Sequence, residues 1–378
     1  MPNPVRRPRV ALVGPTPNDI GGISAHMEQL LGSYLADAVE LLYFEAGNNG
    51  MPESRLHALW RIAMSPLSFF AFLITQRVNL VHINTTMVPK AFARDAAYVL
   101  VARLLGRRVI YQVHGGALPE RFVSERPLLN RLLRWVLNLN EAIVLLARVE
   151  LDAYRRYVPR ARLELIPNAI DIGPCAREPV IRKLRDAFHL AYVGRLIREK
   201  GIFEAVEAIA LLVMAGRSVV LSIAGSGPQE EELRARVAAL GLENSVRFVG
   251  RLFDQQKHAL WRSAHIFVFP TFFLEGLPYA LLEAMAAGAV PLTTRAGAIP
   301  DVMEDSVHGI FVPARDSRAL AVAVALLDDD REALARMANA GRQRVFERYT
   351  VTRLADDFES LYSRVLDDTL RAGAPQRH

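Results

Sequence analysis

Cysteine is almost absent from this chain of 378 residues: Cys175 stands alone. That excludes a disulfide framework and any metal site built from several thiolates. Lysine is scarce too. Only Lys90, Lys183, Lys200 and Lys257 occur, so nearly all positive charge is arginine. No apolar run reaches the length of a membrane span. Arg6, Arg7 and Arg9 lead directly into a short strand and Gly-Pro turns rather than a long apolar core, so no secretory signal is read and a cytoplasmic location is expected. An intact Gly-x-Gly-x-x-Gly, followed by an acid about twenty residues on, is missing. A nicotinamide enzyme or a sugar-nucleotide epimerase would need one. The histidines form no His-Glu-x-x-His pattern, and no protein-bound metal is expected. No basic motif for reading nucleic acid is found.

What is present is a regular alternation. Arg9–Val13, Val39–Phe44, Leu80–Asn84, Val109–Val113, Ala142–Leu146 and Leu163–Ile166 read as short apolar strands separated by helix-period stretches. A second series follows: His189–Val193, Val219–Ala224, Val246–Val249, Ile266–Phe269, Val290–Thr293 and Ile310–Val312. Between them, Gly173-Pro174 and Glu178-Pro179 mark a linker. The length exceeds what one core serves. The expectation is an α/β chain of two doubly wound, Rossmann-like domains, 1–172 and 173–350. Ligands in such sheets sit at the carboxyl ends of strands, so two facing domains would share a site in the cleft between them.

The net charge of +6 lies in one half. Residues 1–172 carry 20 Lys plus Arg against 14 Asp plus Glu; residues 173–378 carry 26 of each. The first half therefore suits an anionic partner, or is simply well solvated. Arg55 to Arg77 joins Trp60, Phe69, Phe70 and Phe72 to flanking arginines. It reads either as a helix packed on the sheet and interrupted at Pro66, or as a segment resting on a membrane interface. Arg121 to Arg134 adds more basic character.

Phe269 to Gly288 carries the densest chemistry. A buried strand ends at Pro270, a loop holds Glu275-Gly276-Leu277, and Pro278 suits the first position of an apolar helix. Glu283 is the one carboxylate in that helix and needs a partner or an edge near solvent. The N–H groups of Gly276 and Leu277 at the helix start suit a phosphate. Gly21-Gly22, after the first strand, permits close backbone approach or is merely a tight turn. His114, with Gly115-Gly116 behind it, stands at the carboxyl end of the fourth strand, where ligands are handled, and reads either as a site residue or as a structural histidine. Arg195 and Lys200 follow the first strand of the second series, where two cations can clamp a diphosphate or are simply surface charge with Glu199 as a local partner. Ala224-Gly225-Ser226-Gly227-Pro228 is a weak nucleotide turn followed by an acidic helix.

Taken in order, these segments resemble retaining glycosyltransferase family 4, which has the GT-B fold. Glu275 and Glu283 stand in its Glu-x7-Glu motif. The Gly21-Gly22-Ile23 loop, His114-Gly115, Pro167-Asn168-Ala169-Ile170-Asp171, Val193-Gly194-Arg195-Leu196 with Lys200-Gly201, and the Gly225 to Pro228 turn are similar to its other motifs. Two departures are Ala169 in place of a glycine and Ala296 to Asp301 in place of Gly-Gly-x-Pro-Glu. The resemblance implies transfer of a sugar, with retained configuration, from a nucleoside-diphosphate sugar (most often UDP) to a sugar or lipid-linked sugar. Arg195 and Lys200 would hold the diphosphate, Glu283 the ribose and Glu275 the transferred sugar. Gly276 and Leu277 would give backbone contacts and Gly21 and Gly22 would cover the phosphates. His114 would line the sugar pocket, and the base would rest near Gly250, Arg251 and Leu252. It further implies an acceptor domain at 1–172, completed by a terminal helix at about 351–378, and a donor domain at 173–350, with no cofactor. The alternative within this fold is a nucleotide-sugar binding protein without turnover. Peripheral contact with the inner face of a membrane is expected if the acceptor is a lipid.

Overall fold

A computed structural model describes residues 7–17, 21–47, 54–124, 126–176 and 187–372. Asn18, Asp19 and Ile20 of the first glycine loop, and Glu178-Pro179 of the expected linker, lie outside the described residues. The chain forms two compact units. One comprises residues 1–169 with 351–378; the other comprises residues 170–350. The second is thus inserted into the first, just before its last helix.

The first unit contains β1 (Arg9–Gly14), β2 (Glu40–Glu45), β3 (Leu80–Met87), β4 (Arg108–Gly116), β5 (Ala142–Leu145) and β6 (Leu163–Leu165). They form one parallel sheet in the order β2-β1-β3-β4-β5-β6. Strand residues alternate between faces. Odd-numbered Ala11, Val13, Val81, Ile83, Val109, Tyr111 and Ile143 enter one core cluster with Phe69, Leu73, Val99, Leu133 and Val136 from the helices. Even-numbered Val10, Leu12, Leu80, Ile110 and Val144 enter the other, with Met27, Leu30, Phe358 and Tyr362. Each such side chain, removed from water, contributes about 1.5–3 kcal/mol. The terminal helix Val351–Ala372 therefore seals the even face of the first sheet.

The second unit contains β7 (Phe188–Val193), β8 (Val219–Ala224), β9 (Val246–Gly250), β10 (Ile266–Phe269), β11 (Val290–Thr293) and β12 (Ile310–Phe311). Its parallel order is β12-β11-β10-β7-β8-β9. Both sheets reverse direction once, between β1 and β3 and between β7 and β10. Loops leaving such a switch point diverge and open a crevice at the strand ends.

Four local expectations are corrected. The fourth strand does not stop at Val113; it continues through His114 to Gly116, because β3 runs on past a bulge so that Met87 pairs with Gly116. The helix Arg55–Thr75 is not interrupted at Pro66. Pro278 precedes its helix in an extended conformation, and the helix begins at Tyr279. Gly173-Pro174 opens one helical turn, Gly173–Ala176, rather than breaking regular structure.

Candidate active site

In the second unit the loops after β7 and β10 carry the charged groups. A 3-10 turn, Arg198–Lys200, follows β7 and places Lys200 facing the loop after β10. The two loops are laced together, since the N–H groups of Phe272 and Phe273 both donate to the Glu199 carbonyl at 2.9 and 3.1 Å. Lys200 Nζ donates to both Glu275 oxygens, at 2.5 and 2.6 Å. Thr271 Oγ1 donates to Glu275 Oε1 at 2.8 Å. The Phe269 and Phe273 rings lie 5.2 and 5.1 Å from the ammonium. Both side chains are largely buried, at 13 % and 8 % exposure, so the pair acts in a medium where charge is poorly screened.

The Glu275 backbone is pinned as well. Gly297, at φ +54°, approaches so closely that a Cβ there would stand 1.8 Å from the Glu275 carbonyl oxygen. Ala298 N–H donates to that same oxygen. The segment that departs from the family pattern thus keeps the glycine that holds Glu275. Gly225 is similar. At φ +137°, a Cβ would stand 1.9 Å from Gly194 O, so this glycine serves the packing of the β7 and β8 loops.

Glu283 does have a partner. Its helix, Tyr279–Ala286, buries Leu281, Leu282, Ala284 and Met285, while Glu283 accepts from Lys257 Nζ at 2.7 Å and from Trp261 Nε1 at 3.2 Å. Both donors come from the helix Asp254–Ser263. Lys257, Trp261 and Thr271 were not singled out in the sequence. Lys257, one of four lysines and placed on a helix leaving a strand end, was the readable signal. Arg195 is exposed and makes no ion pair with a described residue. Its carbonyl accepts from Tyr192 Oη at 3.0 Å. Arg251 Nε donates to Ser226 Oγ at 2.7 Å, bringing the ends of β8 and β9 together, with Leu252 half-buried beside it. Gly276 is half-buried and Leu277 buried just before the Tyr279 helix.

The first unit keeps a buried ion pair, Arg94–Asp95 at 2.7 Å, but gathers neutral groups on the even face of its sheet. His114 on β4 shares a hydrogen bond with Asn84 on β3, Nε2 to Oδ1 at 2.9 Å. An amide oxygen only accepts, so Nε2 carries the proton. His114 Nδ1 is then a lone-pair nitrogen, buried and without a hydrogen bond among the described residues. His26, from the helix Gly22–Leu31, stands edge-on to it at 4.6 Å. His82 bridges Gln112 Oε1, at 2.9 Å, and Tyr362 Oη, at 2.7 Å. Burial holds His82 and His114 down to about 3, and lowers His26 well below the ordinary range. All three are neutral imidazoles. Gly21 and Gly22 stand at the start of the His26 helix, on the same face of the sheet, and Gly22 is already helical. Asn84 and His82 escaped sequence reading because polar residues inside a strand usually satisfy the core.

Two Rossmann-like units, each a six-stranded parallel sheet with one switch point, define an α/β protein of the GT-B fold. Comparison with solved structures agrees. The chain is similar to sucrose-phosphate synthase of Thermosynechococcus elongatus (TM-score 0.76, 21% identity, 96% of this chain and 100% of that one). It is likewise similar to HepE of Anabaena, solved with UDP (TM-score 0.74, 17% identity, 94% and 100%).

The family follows from sequence models. Residues 179–344 match "Glycosyl transferases group 1" and residues 21–169 match "Glycosyl transferase 4-like domain". The chain belongs to this glycosyltransferase family. Among curated relatives, it is 32% identical to the amylovoran biosynthesis glycosyltransferase AmsK of Erwinia amylovora over 172 residues, 43% of this chain and 42% of the relative. It is 28% identical to the 2-deoxystreptamine glucosyltransferase of Streptomyces kanamyceticus over 290 residues, 71% and 73%. In the AmsK match the chain spans less than half the relative's length.

Proposed function

We propose that the protein is a retaining glycosyltransferase that moves a sugar from a nucleoside-diphosphate sugar to a sugar or lipid-linked sugar acceptor. The observation that carries this reading is the Lys200–Glu275 pair, held by Thr271 at the β7/β10 switch point with Arg195 exposed alongside. A leaving diphosphate needs cations, and Arg195 with Lys200 provides them. Glu275 would accept hydrogen bonds from hydroxyls of the transferred sugar. Glu283, set by Lys257 and Trp261, would accept from the ribose.

His114, being neutral, serves as a hydrogen-bonding wall of the sugar pocket and not as a proton source. No second carboxylate is assigned as a covalent nucleophile, so attack from the leaving-group face is favoured, with the donor phosphate taking the acceptor proton. The glycine pair Gly21-Gly22 would cover the phosphates, and Arg251 and Leu252 would flank the base. Uridine is the favoured base, supported by the UDP and UDP-glucose complexes of HepE. The acceptor domain would be the first unit, residues 1–169 with 351–378, and the donor domain the second, residues 170–350. A place in cell-surface polysaccharide or glycolipid assembly, at the cytoplasmic side of a membrane, fits the amylovoran and colanic acid enzymes among the relatives.

Calorimetric binding of UDP, GDP, ADP and NAD, with EDTA present, tests the reading. Tight binding of one nucleoside diphosphate, lost in Glu283→Ala and Lys200→Ala, is expected. Binding of NAD alone overturns it. Nucleotide binding without transfer to any glycan or lipid-linked acceptor would leave a binding protein.

A further inference from the structure

The helix Arg55–Thr75 buries Phe69 and Leu73 against the odd face of the first sheet. Its opposite side is apolar as well: Trp60, Met64, Leu67 and Ile74 recur at helical spacing, and Trp60 and Leu67 are 63 % and 60 % exposed. The helix Pro127–Asn138 repeats the arrangement. Leu133, Val136 and Leu137 enter the same cluster, while Leu128, Leu132 and Trp135 face outward, with Leu128 at 78 % and Trp135 at 51 % exposure. Two helices on one face of one sheet thus turn two apolar stripes, each with a tryptophan, away from the core in the same general direction. Isolated exposed apolar residues are ordinary, but two such stripes on one face of one sheet are not.

The surrounding charge says what covers them. Residues 54–94 contain no Asp or Glu, and neither do residues 126–140. Arg77 and Lys90 beyond the first stripe, and Arg121, Arg126, Arg131 and Arg134 around the second, are exposed. A protein partner that covered both stripes would have to supply a matching run of acids. A bilayer containing anionic lipid supplies apolar depth and negative charge together. Tryptophan prefers the headgroup boundary, and arginine stems lie along it with their heads toward phosphate. No helix among the described residues is long and apolar enough to cross a membrane. The fit is therefore to the surface plane.

We propose that the outward stripes of Arg55–Thr75 and Pro127–Asn138 form one docking face that rests on an anionic bilayer, inserting Trp60, Leu67, Leu128 and Trp135 to headgroup depth. This names the surface through which a lipid-linked acceptor would be met. It rests on the transferase reading only for that last point, since vesicle binding and nucleotide binding are measured separately.

The test is flotation with vesicles of phosphatidylcholine alone and of phosphatidylcholine with phosphatidylglycerol. The natural protein is expected to bind the anionic vesicles at least about tenfold more tightly, with the preference falling as salt rises. Brominated lipids should quench Trp60 and Trp135 but spare the buried Trp261. Leu67→Glu combined with Leu128→Glu should weaken vesicle binding about tenfold or more while UDP binding and circular dichroism are unchanged. Failure of the natural protein to float with anionic vesicles at low salt overturns the proposal, as does undiminished binding by the double variant. A concentration-dependent dimer that the same double variant dissociates overturns it too, because a second copy then covers the face.

Discussion

Around the switch point of the second sheet stand two ion pairs, Lys200–Glu275 and Lys257–Glu283. On the even face of the first stand His26, Asn84, Gln112 and His114, none of them charged at neutral pH, while the Arg94–Asp95 pair lies apart from them, bonded to Thr85. Both sheets have six parallel strands and one reversal. Shared topology therefore does not fix the sign of the polar residues; the side chains on the individual strands, helices and loops do. The charged half suits a diphosphate, whose charge must be neutralised. The neutral half suits hydroxyls, which need directed lone pairs and would gain nothing from a counter-ion.

That contrast can be broken from either side. The largest effect is expected from Lys200→Ala or Glu275→Ala. Either substitution should lower turnover by about 10³-fold, in the range found when a group stabilising developing charge is removed. Each also strands a buried partner charge, costing about 3–5 kcal/mol of stability, readable as two separate urea transitions with only the second unit's shifted. An unchanged rate would remove the pair from the chemistry.

Acidification should strike the other half. The folded pKa values of His82 and His114 lie near 3, below the ordinary 6.5. Between those values the unfolded chain binds protons that the folded one refuses, so stability is lost as pH falls from 6.5 toward 3. The loss is about 1.4 kcal/mol per pH unit for each histidine within that window. Urea midpoints at pH 7 and pH 5 should differ for the first unit. If His82→Gln with His114→Gln leaves the pH dependence intact, the histidines are not its source.

A smaller change is expected from Glu283→Ala. Nucleotide affinity should fall roughly 10- to 100-fold by calorimetry, a charge-assisted contact being worth about 1.5–3 kcal/mol, while affinity for an acceptor glycan holds. Equal losses for both ligands would blur the division between halves. Smallest is Tyr362→Phe, which removes the phenol from His82 Nδ1 and should cost about 1 kcal/mol of stability in the first unit alone.

Much of this was readable in the residues. All twelve strands follow from short apolar runs, and Glu275, Lys200, Arg195 and His114 were each singled out by their place at a strand end. What escaped was pairing across distance. Nothing in the sequence joins Glu283 to Lys257, 26 residues away, because the partnership depends on two helices meeting in space. Asn84 belongs to His114 only through adjacency of β3 and β4, and sheet order is a tertiary fact. Pro66 misled for a local reason. A proline removes one helical bond and clashes one turn back, at Ile62, but the anchors Phe69 and Leu73 lie beyond it and hold the helix to the sheet. The outer stripe of that helix was visible as composition, yet only the buried stripe behind it shows which residues are left facing out.

The helix that seals the even face of the first sheet leaves the ribosome only after the whole inserted unit has done so. Until residues 351–372 emerge, Leu12, Leu30, Ile110 and Val144 lack the cover that Leu354, Phe358, Leu361 and Tyr362 provide. The inserted unit, residues 170–350, is complete by then and is free to fold first. Synthesis thus runs against numerical order: the half begun first is finished last. A premature stop anywhere after Thr350 and before Tyr362 would yield a chain with an intact second unit and a first unit open along one whole side of its sheet, a form that chaperones and proteases would recognise by its bare apolar surface.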